Sequence, residues 1–304
     1  MGSPGSFEIS IFDDRHRSDR AALQALLQGA RGLRIEDHLT AQLQQLALTA
    51  QLQQLALDGQ LPSGRWVYYP WRNALVRVLA PEGLARLRTR WWRGPGPVQR
   101  LEHLQRAHVL ALGLSPGGDE LLSLVCRGIG GSLSLANPDH LCLSRDGRIQ
   151  ASTCDLGESR AVSVARRIRE LDPYVQVEVH LEGDAPEELG ALVARADLVL
   201  GTCDDPQIAY LARIAARRAR VPVVMRREGR AVIEIDRFDL DDPRSPLGPD
   251  ARAEEARAEE ARIAPGRAAL VQQILLGQPC PSGRYRIVAG QGARRPVRWL
   301  GVGT

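Results

Sequence analysis

A short apolar run, His108–Leu112, leads into a glycine-rich turn, Gly113–Gly118 (GLSPGG). The turn opens onto an amphipathic run, Asp119–Arg127, that stops at Gly128. A strand, a glycine turn and a helix in that order can seat a phosphate. Glycines let the backbone approach closely, and a helix N-terminus presents unpaired N–H groups with a partial positive charge. Ser115 stands where a second glycine would be, and Pro116 removes one N–H from the turn. Glycine turns also join strands to helices where no phosphate binds, so the surroundings decide. Polar residues collect in Ala136–Ile149 (ANPDHLCLSRDGRI), Asp155–Ala161 (DLGESRA) and Gly201–Pro206 (GTCDDP). Their arginines and carboxylates suit phosphate and metal chemistry. Each also has a purely structural reading. Asp204-Asp205-Pro206 can be a helix N-cap, and Arg145 and Arg148 a solvated turn about Asp146-Gly147. Arg160 can be helix-surface charge and Arg93 a packing residue. His140 has no partner at metal-ligand spacing.

The elements that must carry these residues alternate. Strands are expected near 108–112, 132–136, 175–181, 197–201 and 221–225, with helices near 118–128, 158–171, 185–195 and 206–219. The helix starts are marked by Glu158, Asp184-Ala185-Pro186 and Asp205-Pro206. Such alternation implies an α/β fold: a Rossmann-like, mainly parallel sheet flanked by helices, with ligands beyond the carboxyl ends of the strands.

Around this core the chain divides into four parts: residues 1–64, a helical N-terminal extension; 65–105, a hairpin and helix leading into the core; 106–240, the nucleotide-binding domain; and 241–304, a charged linker or helix and a tail. In the first part Ser18–Asp19 is expected to cap a helix over Ala21–Gln28. The sequence TAQLQQLAL then occurs twice, at Thr40–Leu48 and Thr49–Leu57. Nine residues make 2.5 helical turns, so the copies face opposite sides of one helix. The duplication either lengthens a helix or offers an apolar partner surface. Arg65–Leu79 alternates as two strands about Pro70, and Pro81–Arg93 reads as a short helix. Arg230–Leu240 and Arg284–Ala289 read as further strands, and a second duplication, ARAEE, fills Ala251–Glu260.

Composition narrows the function classes. All 40 basic residues are arginine, against 36 acidic ones, for a net charge of +4. That mixed surface argues against nucleic-acid binding. No apolar stretch reaches the roughly 18 residues of a membrane span. The start, MGSPGSFEIS, lacks the basic head and apolar core of a signal peptide, so a cytoplasmic location is expected. The five cysteines, Cys126, Cys142, Cys154, Cys203 and Cys280, form no C-x-x-C pair and are expected to be reduced, buried small residues.

Several of these segments carry a resemblance. Ala136–Ile149 resembles the D-x-D-x-[VL]-x-x-S-N-L-x-R segment of the ThiF/MoeB superfamily, bacterial relatives of ubiquitin-activating enzymes. DLGESRA resembles its [VL]-G-x-x-K-A segment, and LDPYVQVEV its L-N-P-x-[VI]-x-[VI] segment. ADLVLGTCDD resembles D-L-V-[LV]-x-[CA]-T-D-N, and VPVVM the [VI]-P-[LV]-[VI] strand. The likeness spans about residues 85–240. YYPWRNALVRVL, ELDPY and RFDL are most similar to a bacterial branch with an extra N-terminal region.

The resemblance implies a ThiF-like adenylyltransferase that uses ATP and Mg2+ on a carboxylate. The substrate it implies is the free C-terminus of a small protein or peptide, and the assembly a homodimer or heterodimer; no nucleic acid or membrane is implied. Carried over, Gly113, Ser115, Gly117 and Gly118 match the nucleotide loop. Asn137 stands where an acid holds the ribose, and Asp139 keeps the second acid. Arg145 replaces an asparagine, and Arg148 matches the phosphate-binding arginine. Arg160 takes the place of a phosphate-contacting lysine. Asp204 matches the acid that supports magnesium and adenylation. Arg93 matches an arginine that reaches the ATP of a partner subunit. Asn137 lacks the charge of the acid it replaces, Pro116 thins the phosphate nest, and Arg160 is bulkier than lysine. No cysteine lies in the region after Met225 where some relatives place a thioester nucleophile, and Cys280 is distant, so thioester transfer is not implied. Two alternatives stand beside adenylation: a non-catalytic ThiF-like partner subunit, and a dinucleotide-dependent oxidoreductase, which would want an acid at Asn137.

Overall fold

The computed structural model describes residues 6–47, 63–89, 96–114, 119–142, 153–181, 186–201, 206–226, 232–240, 262–264, 267–280 and 283–287. The core is an α/β sheet of mainly parallel strands. Its parallel part comprises β5 (His108–Leu112), β6 (Ser132–Ala136), β7 (Gln176–His180), β8 (Leu198–Gly201) and β9 (Val223–Arg226), in spatial order β7-β6-β5-β8-β9. β5 and β8 are nearly continuous apolar runs because both faces are covered by helices. Val109 and Ala111 face one layer, Leu110 and Leu112 the other. The first layer includes α5 (Asp119–Cys126) and α6 (Arg160–Leu171), and the second α7 (Pro186–Arg195) and α8 (Pro206–Ala219). In α6 the buried Ala161, Val164, Ala165 and Ile168 recur at helical spacing, so one stripe packs on the sheet and the arginines point away from it.

The expected strands and helices of the alternating region are present within a few residues of their expected ends. Three features extend the sheet. β10 (Val232–Asp236) lies antiparallel to β9, β12 (Gly283–Ile287) antiparallel to β10, and β11 (Arg262–Ala264) parallel to β12. The helix α9 (Arg267–Leu275), which no sequence signal marked, packs beside α5 in the first layer through Leu270, Val271 and Ile274.

The N-terminal part carries two helices, α1 (Arg17–Gly29) and α2 (Leu39–Ala47), and also strands that the pattern did not suggest. β1 (Ser10–Phe12) and β2 (Arg34–Asp37) flank the hairpin β3 (Gly64–Tyr69) and β4 (Ala74–Leu79) in a sheet ordered β1-β3-β4-β2. Both added strands lie at edges and are short, too brief to show alternation. α1 starts at Arg17 with no side-chain cap; Asp19 instead accepts the Asp13 N–H at 2.9 Å. The first TAQLQQLAL copy falls mostly within α2, and the second lies outside the described residues. α3 (Pro81–Thr89) and α4 (Pro97–Arg106) then lead to β5.

A polar joint fixes this N-terminal sheet to the far end of α6. Trp71 Nε1 donates to Glu170 at 2.7 Å, and Arg72 grips the same carboxylate with Nε and Nη2 at 2.5 and 2.7 Å. Tyr174 donates its hydroxyl to the Leu79 carbonyl at 2.7 Å, and Arg88 pairs with Asp172, whose side chain is 3% exposed. Burial pushes the hydroxyls of Tyr69 and Tyr174 well above the usual phenol range, so both stay neutral donors. Asp172→Ala removes the carboxylate that pairs with Arg88, leaving it the Leu171 carbonyl at 3.4 Å, and removes the acceptor for the Tyr174 N–H at 2.9 Å. We expect a loss of about 2–3 kcal/mol, read as a lower midpoint in urea unfolding. A midpoint within error of the parent would overturn the importance of this joint.

Candidate functional site

The strand order reverses between β5 and β8, and Leu112 stands opposite Gly201 at their carboxyl ends. The chain therefore leaves these neighbouring strands side by side. One exit enters the glycine turn, the other the segment 202–205 that contains Asp204. In open parallel sheets such a crevice is where ligands bind.

Four of the sequence-derived site residues are described, and backbone and side-chain bonds link them. Gly113 adopts φ +70°, and its N–H donates to the Ala136 carbonyl at 3.0 Å across the ends of β5 and β6. Asn137 follows directly. It is 5% exposed, and its Oδ1 accepts the Asp139 N–H at 3.1 Å, an Asx turn. Asp139 in turn offers its carbonyl to the Arg160 N–H at 2.9 Å, and His140 forms a bridge with Ser159. The polar loop after β6 is thus stitched to the N-terminus of α6. Ser115, Gly117, Gly118, Arg93, Arg145, Arg148 and Asp204 lie outside the described residues.

The N-terminus of α6 has two donors with nothing to bond. Arg160 Nε and Ser159 Oγ are both buried without a hydrogen-bond partner among the described residues, and Ser159 makes no side-chain cap. Buried polar atoms are nearly always paired, so orphans clustered at a helix N-terminus fit a group that supplies acceptor oxygens. A phosphate is such a group.

Sequence reading missed one residue at this crevice. Arg267 opens α9, is 5% exposed, and reaches to the carboxyl end of β8 and to β9 beside it. Its guanidinium donates to the carbonyls of Gly201 and Val224, the latter at 3.0 Å, and to the carboxylate of Glu120 on α5. Burial pushes its pKa down to about 9, which still leaves it charged at neutral pH. Its only sequence signal was an arginine preceding an apolar stretch, a pattern shared with most surface helices.

Among the described residues the expectation of buried cysteines holds for Cys280 alone; Cys126, Cys142 and Cys154 are exposed, because they end or follow core elements and do not lie within them, and Cys203 lies outside the described residues. Among the described residues no cluster of His, Cys, Asp and Glu suits a metal ion, and no helix is long and apolar enough to cross a membrane.

Comparison with known proteins bears on this arrangement. Over 180 residues, or 59% of its length, the chain is 33% identical to MT1398 of Mycobacterium tuberculosis, of which it spans 25%. Among solved structures, Escherichia coli tRNA N6-threonylcarbamoyladenosine dehydratase TcdA in complex with ATP is similar at 23% identity and a TM-score of 0.41, over 45% of this chain and 56% of that one. Escherichia coli MccB with ATP is similar at 19% identity and a TM-score of 0.41, over 51% of this chain and 46% of that one. PaaA is similar at 19% identity and a TM-score of 0.49, over 68% of this chain and 80% of that one. Residues 90–226, which run through β5 to β9 and hold the crevice between β5 and β8, match the model of the ThiF family. Over those residues the chain is similar to the ThiF family.

Proposed function

We propose that this protein adenylates a carboxylate with ATP, and that the carboxylate is the C-terminus of a small protein or peptide. The observation that carries the reading is the pair of donors, Ser159 Oγ and Arg160 Nε, buried without a partner among the described residues at the N-terminus of α6 beside the ends of β5 and β6. In the reaction, a carboxylate oxygen attacks the α-phosphorus of ATP. The bond from that phosphorus to the bridging oxygen breaks, and pyrophosphate leaves with the electron pair. Negative charges converge at the attack, so cations must offset them. Arg160 and Arg148 are assigned to the phosphate oxygens, because a guanidinium binds them with a planar fork and stays charged. Gly113, Ser115, Gly117 and Gly118 would admit the nucleotide backbone-close, with Asn137 and Asp139 toward the ribose. Arg145 would add a cation at the same loop, and Arg93 would reach across to a second subunit's nucleotide. Magnesium, held by Asp204, would neutralise the leaving pyrophosphate.

Pyrophosphate exchange into ATP, run against candidate peptides, tests the reading. Asp204→Ala is expected to lower exchange by about a hundredfold or more. Undiminished exchange in that variant would remove the role given to Asp204.

A second reading, a ThiF-like partner subunit without ATP chemistry, draws on Asn137. Its amide is already committed to Asp139, by Oδ1 at 3.1 Å and by Nδ2 at 3.4 Å. Calorimetry with ATP and magnesium separates the two, since submillimolar binding is incompatible with a subunit that has lost its nucleotide.

A further inference from the structure

Glu120 poses an electrostatic problem for any phosphate at the glycine turn. It is the second residue of α5, the helix whose N-terminus would face that phosphate. A carboxylate in the first turn favours the helix, because it offsets the positive end of the dipole. For the same reason it competes with an anionic ligand there. Its side chain is only 26% exposed, so water screens it incompletely.

The charge is met chiefly from outside the segment that matches the ThiF family. Arg267, on α9, bonds the Glu120 carboxylate, and Arg226 at the end of β9 lies 4.0 Å from its other oxygen. Arg226 is 39% exposed, so its contribution is weak, whereas the Arg267 side chain is 3% exposed. Two further bonds, to the Gly201 and Val224 carbonyls, hold the Arg267 guanidinium against the end of β8 and against β9 beside it. Asp119, the other acid of this turn, is 75% exposed, with Arg167 Nη2 at 3.6 Å, and is left to solvent.

We infer that Arg267 is a positioning residue for nucleotide: it neutralises Glu120 and holds that carboxylate away from the phosphates, so that the N-terminus of α5 can accept them. This deepens the adenylation reading and rests on it. It also assigns a task to α9, which would complete the nucleotide site from beyond residue 226.

Calorimetric titration of the full chain with MgATP tests the inference. Arg267→Met keeps an unbranched buried side chain and removes the charge; affinity is expected to fall about tenfold or more. Adding Glu120→Gln to that variant removes the stranded carboxylate, and affinity is expected to return to within about threefold of the parent. Glu120→Gln alone is expected to tighten binding by less than about threefold, because Arg267 already masks the charge. A merely structural Arg267 predicts the opposite: the second substitution would leave affinity low or lower it further. Should Arg267→Met fail to fold, Arg267→Lys keeps the charge and is expected to lose less than about threefold, and a tenfold loss overturns the inference. Binding by the parent that ignores Arg267→Met overturns this inference alone. No binding by the parent overturns the adenylation reading and this inference with it.

Discussion

Arg160→Met is expected to lower pyrophosphate exchange by about a hundredfold, with the melting temperature within about 2 °C of the parent. The two halves of that expectation have different origins. Methionine preserves the aliphatic stem, so packing at the start of α6 changes little. The backbone contact is also untouched, because the Arg160 N–H bonds the Asp139 carbonyl whatever the side chain. What disappears is the guanidinium, whose Nε is buried without a partner among the described residues. Removing an unpaired buried donor relieves the folded state and should not harm it. A donor aimed at charge that develops in the transition state is another matter, since losing one such donor typically costs a factor of 10² to 10³. Arg160→Lys restores a cation at the position where the family's motif has lysine, and is expected to recover exchange to within about tenfold. Exchange at the parent rate in Arg160→Met would return this residue to its other reading, charge on a helix surface. A fall in melting temperature that tracks the loss of exchange would give it a structural role.

The parallel core was legible because its signals are local. HVLAL, LVLG and VVMR are mainly apolar runs, α5 begins with an acid, α7 and α8 begin with proline, and α6 shows a helical stripe. The glycine turn, Asn137, Asp139 and Arg160 could be named from motif spacing, and the structure brings Gly113, Ala136, Asp139 and Arg160 into one bonded chain. Other features depend on partners distant in sequence. β1 pairs with β3 across more than fifty residues, and three-residue strands carry no period to read. α9 (RAALVQQIL) has little contrast between its faces, so only its docking beside α5 defines it. Arg267 is the sharpest case. In a chain with 40 arginines, nothing in its neighbours distinguishes a buried one. Its burial and its three acceptors exist only once β8, β9, α5 and α9 have come together.

Gly131→Ala is expected to destabilise the fold by about 3 kcal/mol or more, whereas Gly190→Ala is expected to stabilise it by about 0.5–1 kcal/mol. The first effect does not come from a special backbone angle, since Gly131 is not among the positive-φ glycines. It comes from contact. A Cβ at Gly131 would overlap the Gln105 carbonyl oxygen and stand 2.7 Å from its carbon. Those are backbone atoms near the end of α4, and they cannot swing aside as a side chain would. The neighbouring bonds close every easy route of retreat: the Gly130 N–H donates to the Leu104 carbonyl at 3.1 Å, and the Gly131 carbonyl accepts the Gln176 N–H at 2.8 Å. Moving the end of α4 would withdraw Leu101 and Leu104, both fully buried, and moving the turn would unseat β6 from β7. Gly190 is the control. It lies inside α7 with nothing within 4 Å of its added Cβ among the described residues, so alanine there only restricts the unfolded chain and favours helix. Thermal unfolding of the two variants should therefore diverge in sign, Gly131→Ala downward by roughly 6–12 °C and Gly190→Ala upward by a few. Because β6 delivers Asn137 and Asp139 to the crevice, nucleotide affinity should fall with Gly131→Ala even in the folded fraction. Equal melting temperatures for the two variants would show that α4 and the turn before β6 are not in contact as described.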